Sequence, residues 1–274
     1  MSGELAGKTM FISGGSRGIG LSIAVRAARA GANVALIAKT DEPHPQLPGT
    51  VHTAADEIRA AGGQALPIVG DIRDQDAVLD AVARTVDEFG GIDICVNNAS
   101  AINLANVETM PLKRYDLIQS INSRGTFIVS QAAIPHLKQS GAGHIITLSP
   151  PINLNPRWLG AHAPYTLSKY GMTLLTLGMA AELDGTGVVA NCLWPETTIA
   201  TAAVQNLLGG DEMIRRSRTP EIVADAAFEI LTKDPAPSGE CFIDSEVLGE
   251  AGGYDLESYA VEAGQELYPD VFLD

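Results

Sequence analysis

Apolar residues follow two alternating patterns along this 274-residue chain. Short apolar runs of strand length alternate with longer segments in which apolar residues recur every third or fourth position, as on one face of a helix. The runs predict strands at residues 9–12, 34–38, 66–69, 92–96, 144–148, 188–194 and 241–243. The longer segments predict helices at 19–30, 54–61, 74–89, 113–137, 165–183 and 220–231. Strands separated by helices of this length predict a parallel sheet with right-handed crossovers.

No linker or internal repeat interrupts this alternation, which predicts a single domain over residues 1–274. The proline-dense stretch at 43–48 is too short to separate domains and indicates a surface loop. Acidic residues outnumber basic ones, 33 to 18, and no Lys or Arg follows Lys233. We therefore expect residues 245–274 to form an acidic, solvated C-terminal extension.

The net charge of −15 excludes whole classes of partner. Such a chain repels both a phosphate backbone and an anionic bilayer, so we expect neither nucleic acid nor membrane as a partner. Its cysteines, Cys95, Cys192 and Cys241, are far apart and flanked by apolar residues, as is typical of buried thiols in a reducing compartment. The histidines show no metal-site spacing, so no metal is expected. Without a long apolar run or a signal-peptide pattern, we expect a cytoplasmic protein.

A glycine-rich turn, Gly14-Gly15-Ser16-Arg17-Gly18-Ile19-Gly20, follows the first predicted strand and leads into a helix. Glycines let the backbone turn sharply and let a pyrophosphate approach the helix N-terminus, whose free N–H groups favour anions. The G-x-x-x-G-x-G spacing is not the fingerprint of two-turn dinucleotide folds, and an ordinary tight turn also uses glycines. Its position in the first βα unit nevertheless favours a dinucleotide site.

Two cations lie where this site would discriminate between NAD and NADP. Arg17 belongs to the turn, and Lys39 ends the second predicted strand. An acid at the latter position, about 20 residues beyond the turn, binds the ribose 2′-hydroxyl of NAD, whereas a basic residue accommodates the 2′-phosphate of NADP. A lone lysine at a strand end is commonly only solvated, but the pair together predicts NADP.

Tyr165 and Lys169 lie four positions apart and hence on one face of a predicted helix. A phenol normally keeps its proton up to about pH 10, and a neighbouring ammonium favours the phenolate. Pairs with this spacing also arise by chance, yet this is the only one in the chain. The pair indicates general acid/base chemistry.

These motifs resemble the short-chain dehydrogenase/reductase family over nearly the whole chain. The resemblance implies an α/β fold of Rossmann type, a doubly wound sheet of seven parallel strands in the order 3-2-1-4-5-6-7 with the ligand crevice at the carboxyl edge of the strands. In that family Asp71 would contact the adenine. The implied cofactor contacts are Gly14, Ser16, Arg17, Gly18, Ile19, Gly20, Lys39, Asp71, Ile72, Asn98, Tyr165, Lys169, Ile199 and Thr201.

The resemblance also implies a catalytic tetrad of Asn122, Ser149, Tyr165 and Lys169. Tyr165 would exchange a proton with the substrate oxygen while hydride passes to or from the nicotinamide. Lys169 would hold the nicotinamide ribose and lower the pKa of Tyr165. Ser149 would hydrogen-bond the substrate oxygen as charge develops. Asn122, a poor residue for a helix interior, would be tolerated within residues 113–137 to position a water of a proton relay.

Two segments depart from the family pattern. Family members commonly end the fifth strand with two serines, of which the second is catalytic, whereas here Ser149 is followed by Pro150. Because proline has neither a hydroxyl nor an N–H group, we expect Ser149 to have moved into the catalytic position. The usual Pro-Gly after the sixth strand is Pro195-Glu196, and Ile199 and Thr201 match the carboxamide contacts only with one residue inserted.

The favoured interpretation is an NADP(H)-dependent oxidoreductase that transfers hydride between the nicotinamide and a small carbonyl or alcohol substrate of lipid-like character. The resemblance further implies a homo-oligomer joined through residues 113–137 and 165–183. Residues 195–220, rich in Thr, Ala, Leu and Gly, are expected to form a lid. A non-catalytic NADP-binding protein and an enoyl reductase remain open alternatives.

Overall fold

The computed structural model describes residues 3–43 and 48–274, so residues 44–47 of the predicted proline-rich loop lie outside it. Its centre is a seven-stranded parallel sheet in the order β3-β2-β1-β4-β5-β6-β7, which confirms the predicted architecture. The strands are β1 (Thr9–Ser13), β2 (Asn33–Ala38), β3 (Ala65–Val69), β4 (Ile94–Asn97), β5 (Gly143–Leu148), β6 (Val188–Trp194) and β7 (Cys241–Ile243).

Helices cover both faces of this sheet. They are α1 (Gly18–Arg29), α2 (Val51–Ala60), α3 (Gln75–Phe89), α4 (Leu112–Ile121), α5 (Ser123–Ser140), α6 (Pro156–Ala161), α7 (Ala163–Glu182), α8 (Ala202–Leu207), α9 (Gly210–Arg215), α10 (Glu221–Thr232) and α11 (Asp244–Ala251). Alternation along β1 shows the two layers: Met10 and Ile12 pack with α1, α2 and α10, whereas Phe11 packs with α3 and α5. Burial of this apolar area on both faces is the main stabilising contribution.

The predicted helix over 113–137 is in fact two helices, α4 and α5, which meet at Asn122. Asn122 has φ −70° and ψ −78°, and its side chain bonds to the backbone of a neighbouring loop rather than pointing to solvent. Short polar side chains compete in this way with helical hydrogen bonding, which the apolar periodicity could not reveal. Elsewhere the predicted elements agree with the structure to within a few residues.

The C-terminal extension is mostly exposed, as its acidic composition predicts, but it is also anchored to the rest of the fold. Residues after 243 begin with α11 and continue through a short 3₁₀ helix, Leu256–Tyr259. Leu248 and Phe272 are fully buried, and Thr197 pairs with Pro269 in an antiparallel bridge at the carboxyl edge of the sheet. The acidic composition of this segment gave no indication of the few apolar residues, such as Leu248 and Phe272, that pack against the rest of the protein.

Two features are absent from the described part of the chain, a membrane-spanning helix and a metal site. No helix there is both long and apolar enough to cross a membrane. No group of His, Cys, Asp and Glu side chains in these ranges could hold a metal ion. The predicted lid contains the short helices α8 and α9, which lie beside the carboxyl edge of the sheet.

Candidate active site

The glycine-rich turn packs directly against the loop that follows β4. Gly14 and Gly18 have φ of +71° and +55°, a region that favours glycine. A Cβ on Gly14 would lie 2.8 Å from the Cα of Ala99, and one on Gly20 would collide with the side chain of Asn98. The Asn98 amide in turn donates to the carbonyls of Ser13 and Gly14, at 3.2 and 2.9 Å. The turn therefore requires glycine because another segment of backbone touches it.

A groove of about 690 Å³ runs from this turn along the ends of β2 and β3. α1 begins at Gly18 and has no side-chain cap at Arg17, so its first N–H groups are available to an anion. Most of the predicted cofactor contacts line this groove: Gly14, Ser16, Arg17, Gly18, Ile19, Lys39, Asp71, Ile72, Asn98 and Thr201. Gly20 lies behind them, where it allows the close approach of Asn98.

The two predicted cations lie at the β2 end of the groove. The Arg17 guanidinium is fixed by the Thr40 hydroxyl at 2.9 Å and by the carbonyl of Gly49 at 2.8 Å. The Lys39 ammonium is exposed and lies 3.3 Å from a carboxylate oxygen of Asp71. Hydrogen bonds from Arg73, the largest cause, lower the pKa of Asp71 to about 2, so this acid is charged at neutral pH. The groove thus presents one fixed cation and one exposed cation.

A second cavity, of about 330 Å³, contains the predicted proton donor. Tyr165 and Lys169 line it together with Ile199, and it shares Asn98 and Thr201 with the groove, so the two spaces are continuous. The Lys169 ammonium donates to the carbonyl oxygen of Leu148 at 2.8 Å. Among the described residues, no group hydrogen-bonds the Tyr165 hydroxyl. This phenol is available to a molecule in the cavity.

Burial controls the protonation of this pair. It raises the pKa of Tyr165, with a smaller contribution from the charge of Asp270, and it lowers the pKa of Lys169 to about 7. In this structure desolvation outweighs the expected effect of Lys169 on the pKa of Tyr165, and the ammonium is directed at Leu148. Tyr165 keeps its proton at neutral pH and is suited to donate it.

Asn122 lies outside both cavities and holds neighbouring segments together. Its side chain accepts from the N–H of Ala101 at 2.8 Å and donates to that residue's carbonyl at 3.0 Å. The same amide donates to the Ser168 hydroxyl at 2.9 Å. Asn122 therefore fixes the loop after β4 against α7, next to Lys169.

The structure does not bring Ser149 into the site, contrary to the expectation that it replaces the catalytic serine. Ser149 is fully buried and lines neither cavity. Its hydroxyl lies beside the thiol of Cys192 without a well-formed hydrogen bond. The next residue is fixed by a 2.7 Å bond from the Thr173 hydroxyl to the carbonyl of Pro150.

Residues 268–274, here called the C-terminal strap, form one wall of the second cavity. The strap is bound through its backbone: Thr198 N–H donates to the carbonyl of Tyr268 at 2.9 Å, and the Trp194 indole donates to that of Val271 at 3.1 Å. Phe272 is fully buried with its ring 6.1 Å from that of Tyr165 at 25°. Its φ of 78° is unusual for an aromatic residue and is imposed by the surrounding contacts.

Comparison with known proteins identifies the family. The family model for short chain dehydrogenases matches residues 8–210, which is most of the chain. The chain belongs to the short-chain dehydrogenase family. A curated relative, hydroxysteroid dehydrogenase-like protein 2 of Xenopus tropicalis, is 53% identical over 273 residues. This chain spans 65% of that relative's length.

Solved structures of other short-chain dehydrogenases match the fold closely. One from Mycobacterium thermoresistibile is 61% identical with a TM-score of 0.93, covering 98% of this chain and 96% of that one. A putative dehydrogenase from Xanthomonas campestris is 55% identical with a TM-score of 0.94, covering 98% and 99%. A more distant metagenomic short-chain oxidoreductase, 26% identical with a TM-score of 0.72 over 88% and 97% of the two chains, was solved in complex with NADP.

Glu196, which departs from the Pro-Gly pattern of short-chain dehydrogenases, connects three segments. Its carboxylate accepts from Arg218 at 2.6 Å, and its N–H donates to the carboxylate of Asp244 at 2.9 Å. Its carbonyl accepts from the N–H of Asp270 at 2.9 Å. A glycine could make the two backbone contacts but not the first, so the Glu196 side chain ties this segment to Arg218 while its backbone carbonyl holds the C-terminal strap.

Sequence reasoning missed two residues that line or cover this dehydrogenase site, Asp270 and Phe272 on the strap. The available signal was the apolar group Val271, Phe272 and Leu273 at the end of an otherwise acidic, polar segment. Such a group in a polar segment indicates an anchor.

Proposed function

We propose that this protein is an NADP(H)-dependent oxidoreductase that interconverts carbonyl and alcohol groups of a small apolar substrate. The observation that carries the proposal is the unpartnered Tyr165 hydroxyl in a cavity continuous with a groove that has a glycine turn at one end. Membership of the family supports the reaction class. The residues that line the groove and the second cavity support the preference for NADP and for an apolar substrate.

The groove fits a dinucleotide cofactor. At Gly14 and Gly20 a Cβ would clash with neighbouring protein atoms, so glycine keeps the turn packed on the loop after β4 at the end of the groove. The uncapped start of α1 would hold the pyrophosphate, and Ile72 and Asp71 would lie along the adenosine. Ile199 and Thr201, which line the second cavity, would contact the carboxamide end. When bound, the nicotinamide supplies or takes up hydride.

Preference for NADP rests on Arg17 and Lys39. A 2′-phosphate at the end of β2 would meet a fixed guanidinium and an ammonium that is exposed to solvent. Asp71 already lies 3.3 Å from Lys39 and is charged, so it competes with the phosphate for this cation. Arg17, whose partners are neutral, is therefore the stronger phosphate contact of the two.

Proton transfer to and from the substrate is carried out by residues of the chain itself. In the reductive direction Tyr165 donates its phenolic proton to the carbonyl oxygen, and in the oxidative direction the phenolate takes the proton from the alcohol. Lys169 lies one helical turn away, where its ammonium would hold the nicotinamide ribose. Asn122 acts as a positioning residue, because it fixes the loop after β4 against α7.

The cavity walls support an apolar substrate. Most of its side chains are aliphatic or aromatic, among them Ile102, Leu104, Trp194, Val204, Leu208 and Met213. A volume of about 330 Å³ suits a compact substrate or the reactive end of a longer one. The printed name of the curated relatives, hydroxysteroid dehydrogenase-like protein 2, accords with a lipid-like compound.

We also propose that the protein is a homo-oligomer. Phe127 on α5 and Leu167 and Leu174 on α7 are about half exposed or more, on two helices that pack side by side. Apolar side chains grouped on one surface favour burial against a second copy. Light scattering of Leu174→Glu should give a smaller particle than the parent, whereas Leu79→Glu on α3 should not.

A cytoplasmic location is a further proposal. It rests on the chain's acidic composition and on Cys95, Cys192 and Cys241, which are free thiols as expected in a reducing compartment.

A panel of aldehydes, ketones, enones and alcohols tests the reaction. Purified protein should consume NADPH with an apolar carbonyl compound, and product analysis should yield the alcohol. Saturated ketones from enones would instead identify an enoyl reductase. NADPH binding without turnover across the panel would indicate a non-catalytic protein.

A further inference from the structure

The second cavity contains a carboxyl group that the proposed chemistry has not used. Among the described residues that line it, only Asp270 carries a side-chain carboxyl. One carboxyl oxygen accepts from the N–H of Val271 at 2.6 Å, and the other has no hydrogen-bond partner in the described ranges. The Asp270 N–H is bound to the carbonyl of Glu196, so the residue is fixed at both its backbone and its side chain.

Three titratable groups act on this carboxyl. Lys169 and Tyr165 lie on α7, and Asp244 begins α11. Burial, the largest cause, raises the pKa of Asp270 to about 7, and the charge of Asp244 adds to it, while the Val271 N–H and Lys169 oppose the shift. A large share of Asp270 is therefore protonated at neutral pH. In that form it carries an O–H donor.

The cavity also lacks the hydroxyl that commonly assists the tyrosine. Ser149 lies outside it, and Pro150 has no donor. Two donors aimed at a substrate oxygen stabilise developing negative charge better than one. A protonated carboxyl near a phenol can supply such a second donor.

Building on the proposed carbonyl–alcohol chemistry, we propose that Asp270 is a catalytic residue whose carboxyl group donates a hydrogen bond to the substrate oxygen beside the Tyr165 hydroxyl. Asp270 keeps its proton throughout. The proton that the substrate oxygen gains in reduction comes from Tyr165, so no further co-reactant is needed. The carboxyl group of Asp270 thereby takes the role of the catalytic serine hydroxyl, which this cavity lacks because Pro150 replaces the serine.

This assignment has a definite pH dependence. Above its pKa of about 7, Asp270 loses its donor and places a negative charge beside the oxygen that becomes negative during reduction. The carbonyl reduction rate should therefore fall as the pH rises through this range. An asparagine at the same position keeps an N–H donor and does not titrate.

Three variants test the proposal: Asp270→Asn, Asp270→Ala and, as a matched control on the neighbouring surface, Glu266→Gln. With a carbonyl substrate found in the panel, Asp270→Ala should lower kcat/KM by roughly a hundredfold, as when an oxyanion-type donor is lost. Asp270→Asn should retain most of the rate, and its decline near pH 7 should be smaller than the parent's, because of Asp270 and Lys169 only Lys169 still titrates there. Glu266, exposed to 92%, should have no effect, and NADPH affinity should be unchanged in all three. Equal losses of kcat/KM for Asp270→Asn and Asp270→Ala, or a pH profile of Asp270→Asn identical to that of the parent, would overturn the proposal.

Infrared difference spectra between the parent and Asp270→Asn add a readout without turnover. A protonated-carboxyl band that appears as the pH falls through about 7 supports the assignment. A carboxyl ionised down to about pH 5 overturns it, whatever the carbonyl panel gives. If the band is present but no carbonyl is reduced, it is the proposed function that fails, and the catalytic part of this assignment falls with it.

Discussion

The glycine-rich turn and the C-terminal strap border the same continuous pair of cavities, yet they are built in opposite ways. In the turn, neighbouring residues in one short segment provide both the bend and the contacts of the groove. The strap depends on distant partners: Trp194 bonds to Val271, and Asn153 bonds to Asp274 across 121 positions. A local motif can be recognised in the sequence, whereas a strap held by long-range contacts cannot.

The difference also separates two kinds of constraint. The turn is fixed by backbone conformation, because Gly14 and Gly18 need positive φ and Gly20 needs close approach. The strap is fixed by a side chain, because Phe272 contacts five aromatic rings at centroid distances of 5.3 to 6.1 Å: Trp158, His162, Tyr165, Tyr170 and Trp194. The first constraint preserves cofactor binding and the second the cavity, so variants should affect these properties separately.

The largest effect should follow removal of the Tyr165 hydroxyl, in the cavity that has the strap as one wall. Tyr165→Phe keeps the ring against Phe272 but removes the proton donor, so turnover should fall by roughly two to four orders of magnitude. NADPH binding, measured by fluorescence titration, should be retained. Tyr115→Phe on α4, outside both cavities, serves as the control. Retained turnover in Tyr165→Phe would assign this tyrosine a purely structural function.

The second largest effect is expected on removal of Phe272, the side chain that anchors the C-terminal strap. Phe272→Ala empties a fully buried site and should lower the free energy of unfolding by about 3–5 kcal/mol. For a chain of this size the melting temperature should drop by roughly 10 °C. Val261→Ala, at a side chain that is 40% exposed in the same C-terminal part, should change it little. An unchanged melting temperature in Phe272→Ala would mean that the strap does not pack on the Tyr165 ring in solution.

The cofactor groove should respond to the loss of a cation without a change in the fold. Arg17→Ala and Lys39→Ala each remove one charge-assisted contact to a 2′-phosphate, which should weaken NADPH binding roughly tenfold to a hundredfold. Arg17→Ala should weaken NADPH binding more than Lys39→Ala does, because Lys39 is already paired with Asp71. Binding of NADH should hardly change, and Lys138→Ala at the end of α5 is the control. Equal losses for both cofactors would contradict phosphate recognition.

The turn and the strap also show how much of the fold and of the site could be predicted from the sequence. The types and most bounds of the elements were predictable, because buried parallel strands and amphipathic helices leave strong periodic patterns, and the strand order followed from the resemblance to short-chain dehydrogenases. The turn, Lys39, Tyr165 and Lys169 were predictable because local spacing carries their chemistry. The break at Asn122 and the placement of Asp270 were not, since each depends on tertiary contacts, with Ala101 and Glu196 respectively. Burial also reversed the expected shift in the pKa of Tyr165.

The smallest effect is expected at Ser149, where the sequence pattern and the structure disagree most. A serine that donates to the substrate would lose about a hundredfold or more in turnover on replacement by alanine. Ser149 is instead fully buried, and its hydroxyl lies beside Cys192 without a well-formed hydrogen bond. Removing an unsatisfied buried hydroxyl costs little and can stabilise the fold. Ser149→Ala should therefore keep turnover within about threefold of the parent and keep or slightly raise the melting temperature. Thr173→Val, which breaks the bond that fixes Pro150, makes a useful companion because it should release the end of β5. A hundredfold loss in Ser149→Ala alone would show that the serine reaches the cavity during catalysis, and the second donor would then be Ser149 rather than Asp270.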